Sequence, residues 1–551
     1  MRILIIGAVA AGTSAAAKAR RNSEDAEIII YEKDSFISYS GCGMPYYLGK
    51  HIEKAEELTP RDPEFFRSKY NVDIRTRHEV LSIEPSKKEL KVRNLETNEV
   101  FSDNYDKLVL ATGAKSVIPP IPGVEKSNVF TLRNIIDMNK IATYIAENIP
   151  QKAVIVGTGF IGLEVCENLS DIGLEVTLVE KLPQVTPGLD SDMAVYVEAH
   201  LKSKGVKVLT NSGVIEISDN EVFLSNGEKI PADIIIIATG VRPNVELAKS
   251  ANLELGHTGA IKVNKMMQTS DSDIYACGDC IEQYQLVTGK PVYRPLGSTA
   301  NKTGRIAGDC VTGGSLEFRG VLGTGIFKMF DLAVAQTGLS EREAIELGLD
   351  VQVCHNIKPN KPEYMGGKEI VIKAVADRNT GRLLGVQIIG EDGVDKRIDV
   401  FVTAITFGAK AEDLFHLDLA YAPPFSTTKD PVMYTGMILD NAINKGRPLI
   451  TAKELDTLIT SGEKYNLVDA RVSKQYDKDH VDTAVNIPHE KLRNRVEEMD
   501  KDLITITYCN KGVTGNAAQN ILINKGFNRV YNISGGHKTF SKWRSNGNSS
   551  K

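Results

Sequence analysis

Three things are scarce in this chain. Cysteine is one: 551 residues carry only seven, an odd number scattered over the whole length. That excludes a disulfide-stapled scaffold and a zinc ribbon, and it fits a reducing cytosol with a few reactive thiols. Net charge is another: Lys+Arg 66 against Asp+Glu 71 leaves −5. There is therefore no electrostatic case for a nucleic-acid-binding or polybasic membrane protein. Long apolar runs are the third. No uninterrupted stretch of about 18 apolar residues occurs, so no membrane span is expected. What remains is 42% hydrophobic and 25% charged residues, the balance of an ordinary globular chain. Its length suggests three or four domains at roughly 150 residues each. Glycine is generous at 46, a hint of backbone contacts to nucleotides.

The opening, MRILIIGAVAAGTSAAA, has the outline of a secretory signal, but residues 152–181 repeat its form as KAVIVGTGFIGLEVCENLSDIGLEVTLVEK. A signal has no reason to recur in mid-chain, so both are read as strand, glycine-rich turn, helix, strand. The second copy holds a full G-x-G-x-x-G in Gly157, Gly159 and Gly162, with Glu180 at the end of the next strand. Such a turn lets the backbone approach a pyrophosphate that sits on the helix N-terminus. A carboxylate at Glu180 can accept from ribose hydroxyls and repels a 2′-phosphate, which favours NADH, although the neighbouring Lys181 leaves NADPH possible. In the first copy Gly7 and Gly12 are in place, Val9 stands at the middle position, and Glu32 closes the following strand. Two later strands end alike in Ala-Thr-Gly, at Ala111-Thr112-Gly113 and Ala238-Thr239-Gly240, and Ile274-Tyr275-Ala276 leads into Cys277-Gly278-Asp279.

This order of motifs resembles the flavoprotein disulfide reductases with two dinucleotide folds, over about residues 1–440. The resemblance implies FAD on the first fold and NAD(P)H on the second. It implies cofactor contacts from Gly7, Ala11, Gly12, Glu32, Lys33, Ala111, Thr112, Gly113, Arg133, Asp279 and Ala300, and from Gly157, Gly159, Ile161, Gly162, Glu180 and Gly240. Asp279 would contact the ribityl chain. In Ser38-Tyr39-Ser40-Gly41-Cys42-Gly43-Met44-Pro45-Tyr46-Tyr47, Cys42 stands alone where dithiol members carry two cysteines, and His416 is not followed by their His-x4-Glu pattern. The single cysteine resembles the branch of coenzyme A disulfide reductases and NADH oxidases or peroxidases, in which one thiol near the flavin cycles between thiolate and an oxidised form. Placed where a helix opens toward Met44, Cys42 is expected to have a lowered pKa.

The segments Lys361–Met365 and Leu419–Phe425 also resemble the coenzyme A disulfide reductases. The resemblance implies that Tyr364 and Tyr421 reach the sulfur of the partner subunit as proton donors where histidine is absent. Arg20, Arg21, Ser38, Ser40, Arg61, Asn301 and Arg305 would then line the coenzyme A channel. A basic helix end such as Lys18–Arg21 is, by residue type alone, more often solvated surface.

After Arg447-Pro448 the character changes. A strand ends in Cys509-Asn510-Lys511-Gly512-Val513-Thr514-Gly515 and runs into a helix, a cradle in which backbone N–H groups converge on sulfur or a bound anion. With Asp469-Ala470-Arg471, Tyr476, His480–Pro488, Gly535-Gly536 and Trp543, this part resembles a rhodanese domain, which implies a persulfide carried on Cys509. The loop has Lys511 and Thr514 but no arginine, which places thiosulfate as donor in doubt. The one C-x-x-C spacing, Cys277 to Cys280, straddles Asp279 and is read as incidental; Cys166, Cys310 and Cys354 are assigned no chemistry.

The expected fold class is α/β: two Rossmann-like FAD and NAD(P)H-binding folds, an α+β dimerisation domain and a C-terminal α/β rhodanese domain. The expected boundaries are 1–115 with 245–320, then 116–244, 321–445 and 450–551. The expected activity is NADH-dependent reduction of coenzyme A disulfide, coenzyme A persulfide or polysulfide through Cys42, with sulfane sulfur relayed by Cys509. The expected assembly is a cytoplasmic homodimer with no metal and small-molecule thiol, disulfide or persulfide partners. Two rivals remain: an NADH oxidase or peroxidase with Cys42 as sulfenate, and a sulfur-carrying or redox-sensing protein.

Overall fold

A computed structural model describes residues 1–545, and these divide into two compact units: 1–183 with 206–323, and 184–205 with the described residues from 324 on. The first unit is built on the repeated motif. The apolar run Arg2–Ile6 is buried on both faces, so it forms an interior parallel strand. Its sheet runs Ile274–Ala276, Lys107–Leu110, Arg2–Ile6, Glu27–Tyr31, Asp73–Arg75. The second copy makes an equivalent parallel sheet in the order Lys207–Leu209, Glu175–Val179, Lys152–Val156, Ile234–Ile237, Val129–Phe130. The strand Ile274–Ala276 belongs to the first sheet although it follows the whole second sheet in sequence, so the first fold is discontinuous.

Small residues bring one later helix onto the first nucleotide helix. In the helix Gly297–Cys310, a Cβ on Gly304 would lie 2.3 Å from the Ala11 carbonyl oxygen, and one on Gly308 would lie 2.2 Å from that of Ala15. The alanine-rich stretch of Ala10–Asn22 is what permits this approach.

In the second unit, Gly325–Met329, Leu332–Gly338, Leu383–Gly390, Glu369–Asp377 and Val351–Pro359 form an antiparallel sheet in that order, with Val351–Pro359 at one edge. The helix Pro431–Asn444 packs on the strand Val351–Pro359. The C-terminal part is a parallel sheet: Leu449–Ile450, Val530–Ile533, Ile504–Tyr508, Tyr465–Asp469, Val485–Asn486. The helix Ser191–Ser203, although it lies in sequence between two strands of the second nucleotide sheet, packs within this second unit. Among the described residues no helix is long and apolar enough to cross a membrane, and no His/Cys/Asp/Glu cluster could hold a metal ion.

Candidate active site

The two glycine turns have the geometry their spacing calls for. Gly7 has φ +104° and Gly157 φ +103°, a region that favours glycine, and a Cβ on either would run into the carbonyl of Ala111 or Ala238 at 2.3 or 2.5 Å. Gly12 and Gly162 touch the carbonyls of Gly7 and Gly157 in the same way, at 1.8 and 2.2 Å, so neither can carry a side chain. Gly159 meets nothing within 4 Å, so no protein neighbour demands glycine at the middle position. That is why Val9 fits the equivalent place in the first copy.

Each following carboxylate ties down its own turn. Buried Glu32 accepts from the backbone N–H of Ala8 at 2.7 Å and of Asp34 at 3.0 Å. Glu180 accepts from the N–H and hydroxyl of Thr158 at 3.0 and 2.7 Å, and from the Leu182 N–H at 2.9 Å.

A cavity of about 860 Å³ opens over the first turn. It is lined by Gly7, Ala11, Glu32, Lys33, Ala111, Thr112, Gly113, Arg133, Asp279 and Ala300, so the structure gathers ten residues that the motifs and the resemblance named. Its size, its helix N-terminus and the Glu32 carboxylate at the strand end fit a flavin dinucleotide. Arg133 pairs with Asp279 at 2.8 Å. Sequence reasoning missed Thr303, fully buried, whose hydroxyl accepts from the Gly278 N–H at 3.0 Å and so sets the turn that presents Asp279. The signal was available: Thr303, Gly304 and Gly308 are the small residues of one helix face.

Cys42 lies in the short turn of helix Gly41–Gly43, just before Met44–Leu48. The expectation of a lowered pKa is corrected here. The helix that follows has only five residues, too few to build a useful dipole. Partial burial pushes the Cys42 thiol above its ordinary value, and the carboxylates of Glu164 and Asp279 push the same way against the pull of Arg133. Glu164, in the helix Phe160–Asp171 of the second nucleotide fold, was also missed. Burial, then Glu167, raise its pKa to about 7, against a hydrogen bond from Tyr46.

Glu164 is consequently neutral below pH 7 and charged above it, and its charge opposes ionisation of Cys42. Glu164→Gln is expected to leave Cys42 alkylation unchanged at pH 6. At pH 8 it should raise the thiolate fraction about threefold, for a shift of about half a unit. Iodoacetamide labelling with mass spectrometry of the Cys42 peptide reads this, and equal rates at pH 8 would refute it.

All seven cysteines are free, Cys42 is exposed and the remaining six are buried. Burial raises the Cys277 and Cys280 thiols, and Cys280 donates to the Cys277 carbonyl at 3.2 Å, so the C-x-x-C spacing forms no disulfide.

One cation leaves the coenzyme A assignment. Arg20 is 4% exposed, and its guanidinium donates to the carbonyls of Tyr70, Ser23, Glu24, Ala26 and Asn71. It locks the helix end to the next loops and is not available to a phosphate. Lys18 is tied to Asp309 at 3.0 Å. Arg21, Arg61 and Arg305 are exposed; Arg21 lies over Tyr70 and Arg61 over Phe65. Ser40 is also exposed; Ser38 is partly buried at φ +48° and donates its N–H to the Ala8 carbonyl at 2.8 Å. Asn301 accepts from Ser14 at 2.8 Å. In the second unit Tyr364 is 76% and Tyr421 48% exposed, and Tyr421 borders an open cleft with Lys361, Lys396 and Phe425.

Cys509 follows the strand Ile504–Tyr508, and Gly512 at φ +94° turns the chain into the helix Val513–Asn524. Gly536 closes the cradle from behind, since a Cβ there would lie 2.3 Å from the Cys509 carbonyl oxygen, and that oxygen accepts from the His537 N–H at 2.8 Å.

Fold and site together define a pyridine-nucleotide-linked flavoprotein oxidoreductase with one exposed thiol and a second, separate cysteine cradle. The chain matches the pyridine nucleotide-disulphide oxidoreductase family over residues 1–290, that family's dimerisation domain over 325–431, and the rhodanese-like domain over 451–544. It belongs to the pyridine nucleotide-disulphide oxidoreductases and carries a rhodanese-like domain. An NADH oxidase of Methanocaldococcus jannaschii is 38% identical over 78% of this chain and 97% of its own length. A CoA-dependent NAD(P)H sulfur oxidoreductase of Pyrococcus furiosus is 38% identical over 80% of this chain and 99% of its own. The crystal structure of reduced Bacillus anthracis CoADR-RHD superposes with a TM-score of 0.96 at 38% identity, covering 99% of this chain and 98% of that one.

Proposed function

We propose that the protein is an NADH-dependent reductase of coenzyme A disulfide, coenzyme A persulfide and related polysulfides, working through Cys42, with Cys509 relaying sulfane sulfur. The observation that carries this is the division of the thiols: Cys42 alone is exposed, within electrostatic reach of Asp279 and Arg133 of the flavin cavity, while Cys509 sits in its own backbone cradle. With no second exposed cysteine, the mixed disulfide or persulfide must form with the substrate itself. The names of the Pyrococcus furiosus and Bacillus anthracis relatives point the same way.

FAD, when bound by the Gly7 turn, Glu32 and Asp279, supplies the means to take an electron pair from NADH and hand it to sulfur. The residues of the chain do the rest. Cys42 thiolate attacks the outer sulfur of a persulfide CoA–S–SH. The substrate S–S bond breaks, CoA thiolate leaves, and Cys42–S–SH forms. Two electrons and one proton then return Cys42 to thiolate and release hydrogen sulfide. With coenzyme A disulfide the same attack gives Cys42–S–S–CoA, and the same electrons and proton release coenzyme A thiol.

Tyr421 and Tyr364 protonate the leaving thiolate from the partner subunit of a homodimer; their exposure on the single chain supports that role. Arg21, Ser38, Ser40, Arg61, Asn301 and Arg305 remain the coenzyme A contacts. Glu180, a carboxylate held against the second turn, supports NADH over NADPH. The cellular site is cytoplasmic.

The test is NADH consumption by wild-type holoenzyme. With coenzyme A persulfide under argon, turnover is expected at least about tenfold above that with oxygen or hydrogen peroxide alone, a difference of about 1.4 kcal/mol in activation energy. Faster turnover with oxygen or peroxide would identify an oxidase or peroxidase instead.

A further inference from the structure

The cysteine loop of the rhodanese-like domain has no arginine, and the structure shows where the nearby cations are spent. Arg471 is clamped by Asp469, at 2.6 Å from Nη2 and 3.0 Å from Nε. His537 faces Asp479 at 3.4 Å. Lys511 and Lys538 both close on one carboxylate, that of Glu369. Lys542 lies over the Tyr196 ring at 5.9 Å. The loop's own lysine is thus neutralised by the dimerisation domain.

The same docking brings another cation forward. Glu369 begins the strand next to the edge strand Val351–Pro359, where Pro359 lies opposite Glu369 and Lys358 opposite Ile370. The edge strand also receives the turn behind Cys509. The His355 N–H and ring bond to Ser534 Oγ at 2.7 and 2.9 Å, and a Cβ on Gly535 would lie 2.9 Å from that of His355. The next residue is Gly536, the back wall of the cysteine cradle. Lys358 therefore belongs to a strand that holds the Ser534–Gly535 turn behind Cys509, beside the strand whose Glu369 holds Lys511 of the Cys509 loop.

Its ammonium lies 4.1 Å from the centroid of the Tyr434 ring, and among the described residues it has no carboxylate partner. The ring seats a cation without neutralising it. Burial and then Lys511 lower its pKa while Cys509 raises it, so the two groups are within electrostatic reach.

We propose that Lys358 supplies the positive charge of the Cys509 site, so that sulfur transfer on the rhodanese-like domain depends on an ammonium lent by the dimerisation domain. This rests on the reading of Cys509 as a sulfur relay. In that step Cys509 thiolate attacks the outer sulfur of a donor R–S–SH. The donor S–S bond breaks, Cys509–S–SH forms, and R–S⁻ leaves, with no electrons taken from elsewhere. Negative charge sits at the Cys509 sulfur before attack and again when the bound persulfide ionises, and an unneutralised cation favours both.

The test is the pH profile of Cys509 alkylation by iodoacetamide in the full-length holoenzyme, read from the Cys509 peptide by mass spectrometry. Lys358→Gln is expected to move the midpoint up by at least about half a unit, about threefold in rate at pH 7. Lys358→Arg should restore the wild-type profile, and Lys511→Gln should shift it less. Tyr434→Leu, which unseats the ammonium without removing it, should move the midpoint in the same direction. Unshifted profiles in Lys358→Gln and Tyr434→Leu, or a larger shift in Lys511→Gln, would overturn the proposal. Transfer of sulfur from coenzyme A persulfide to cyanide is measured alongside. A Lys358-dependent profile without any such transfer refutes the relay and leaves the charge assignment standing.

Discussion

Cys42→Ser is expected to lower NADH-dependent reduction of coenzyme A disulfide and coenzyme A persulfide by about a thousandfold or more, because a serine hydroxyl can neither displace a thiolate from sulfur nor store a sulfane sulfur. The thiols nearest Asp279 in sequence, and the one in the helix of the second turn, cannot deputise. Cys277 and Cys280 flank Asp279 in sequence, but both are fully buried and burial raises them away from thiolate. Cys166 is fully buried in its helix, and burial pushes its thiol up to about 12. What the variant should keep is the first half of the reaction. The glycine turns, Glu32, Glu180 and the Arg133–Asp279 pair do not involve the sulfur. NADH should therefore still bleach the flavin absorbance in a single turnover in stopped flow, while steady-state turnover on either sulfur substrate disappears. Retention of more than about a tenth of the wild-type kcat/KM, a loss of less than about 1.4 kcal/mol, would show that the electrons leave by another route.

Much of this enzyme was legible in its sequence because its chemistry depends on backbone shape. Gly7, Gly12, Gly157 and Gly162 are dictated by carbonyls 1.8 to 2.5 Å from where a side chain would begin, and such demands repeat at fixed spacing. Glu32 and Glu180 were legible because each directly follows a strand beside its glycine turn, and Asp279 because it sits in the turn just after the strand Ile274–Ala276. What sequence could not show depends on packing between distant segments. Arg20 read as a free cation at a helix end, yet five carbonyls from residues 23–26 and 70–71 consume it. Cys42 read as activated by a helix; the helix is too short, and Glu164, 122 positions away, works against the thiolate. Lys358 drew no notice because its meaning comes from where a separate domain docks.

Lys373→Met is expected to destabilise the protein by about 3–5 kcal/mol, the cost of stranding buried charge when one partner of an ion pair is removed. Lys373 is 1% exposed, with its ammonium 2.7 and 2.8 Å from the Asp192 oxygens, 2.6 Å from Glu341 and 3.2 Å from Asp190. Burial alone would strip its proton, but the three carboxylates keep it charged. Burial would likewise raise Asp192, but Lys373 and then His355 hold its carboxyl well below the usual range. The cluster also joins three parts of the chain. Asp190 and Asp192 flank the start of the helix Ser191–Ser203, Lys373 and Glu341 come from the dimerisation domain, and His355 links Asp192 at 2.9 Å to Ser534 of the rhodanese-like domain. The residue types Ser534, His355 and Asp192 imitate a hydrolytic triad, but all three are buried and Asp192 is committed to Lys373, so their work is structural. The sign of the pH dependence follows. In the wild type the depressed Asp192 contributes stability that is present above its unfolded pKa and lost only as the solution becomes strongly acidic. Without Lys373 the buried Asp192 carboxylate loses its main stabilising charge and its pKa rises, so the deficit should be largest near pH 8 and shrink toward pH 5. Trp543 is the only tryptophan in the sequence and is buried in the rhodanese-like core. Urea unfolding followed by its fluorescence reports that domain, and far-ultraviolet circular dichroism reports the whole chain. A loss below about 1 kcal/mol at pH 8, or a deficit that grows on acidification, would show that the buried cluster does not hold these three segments together.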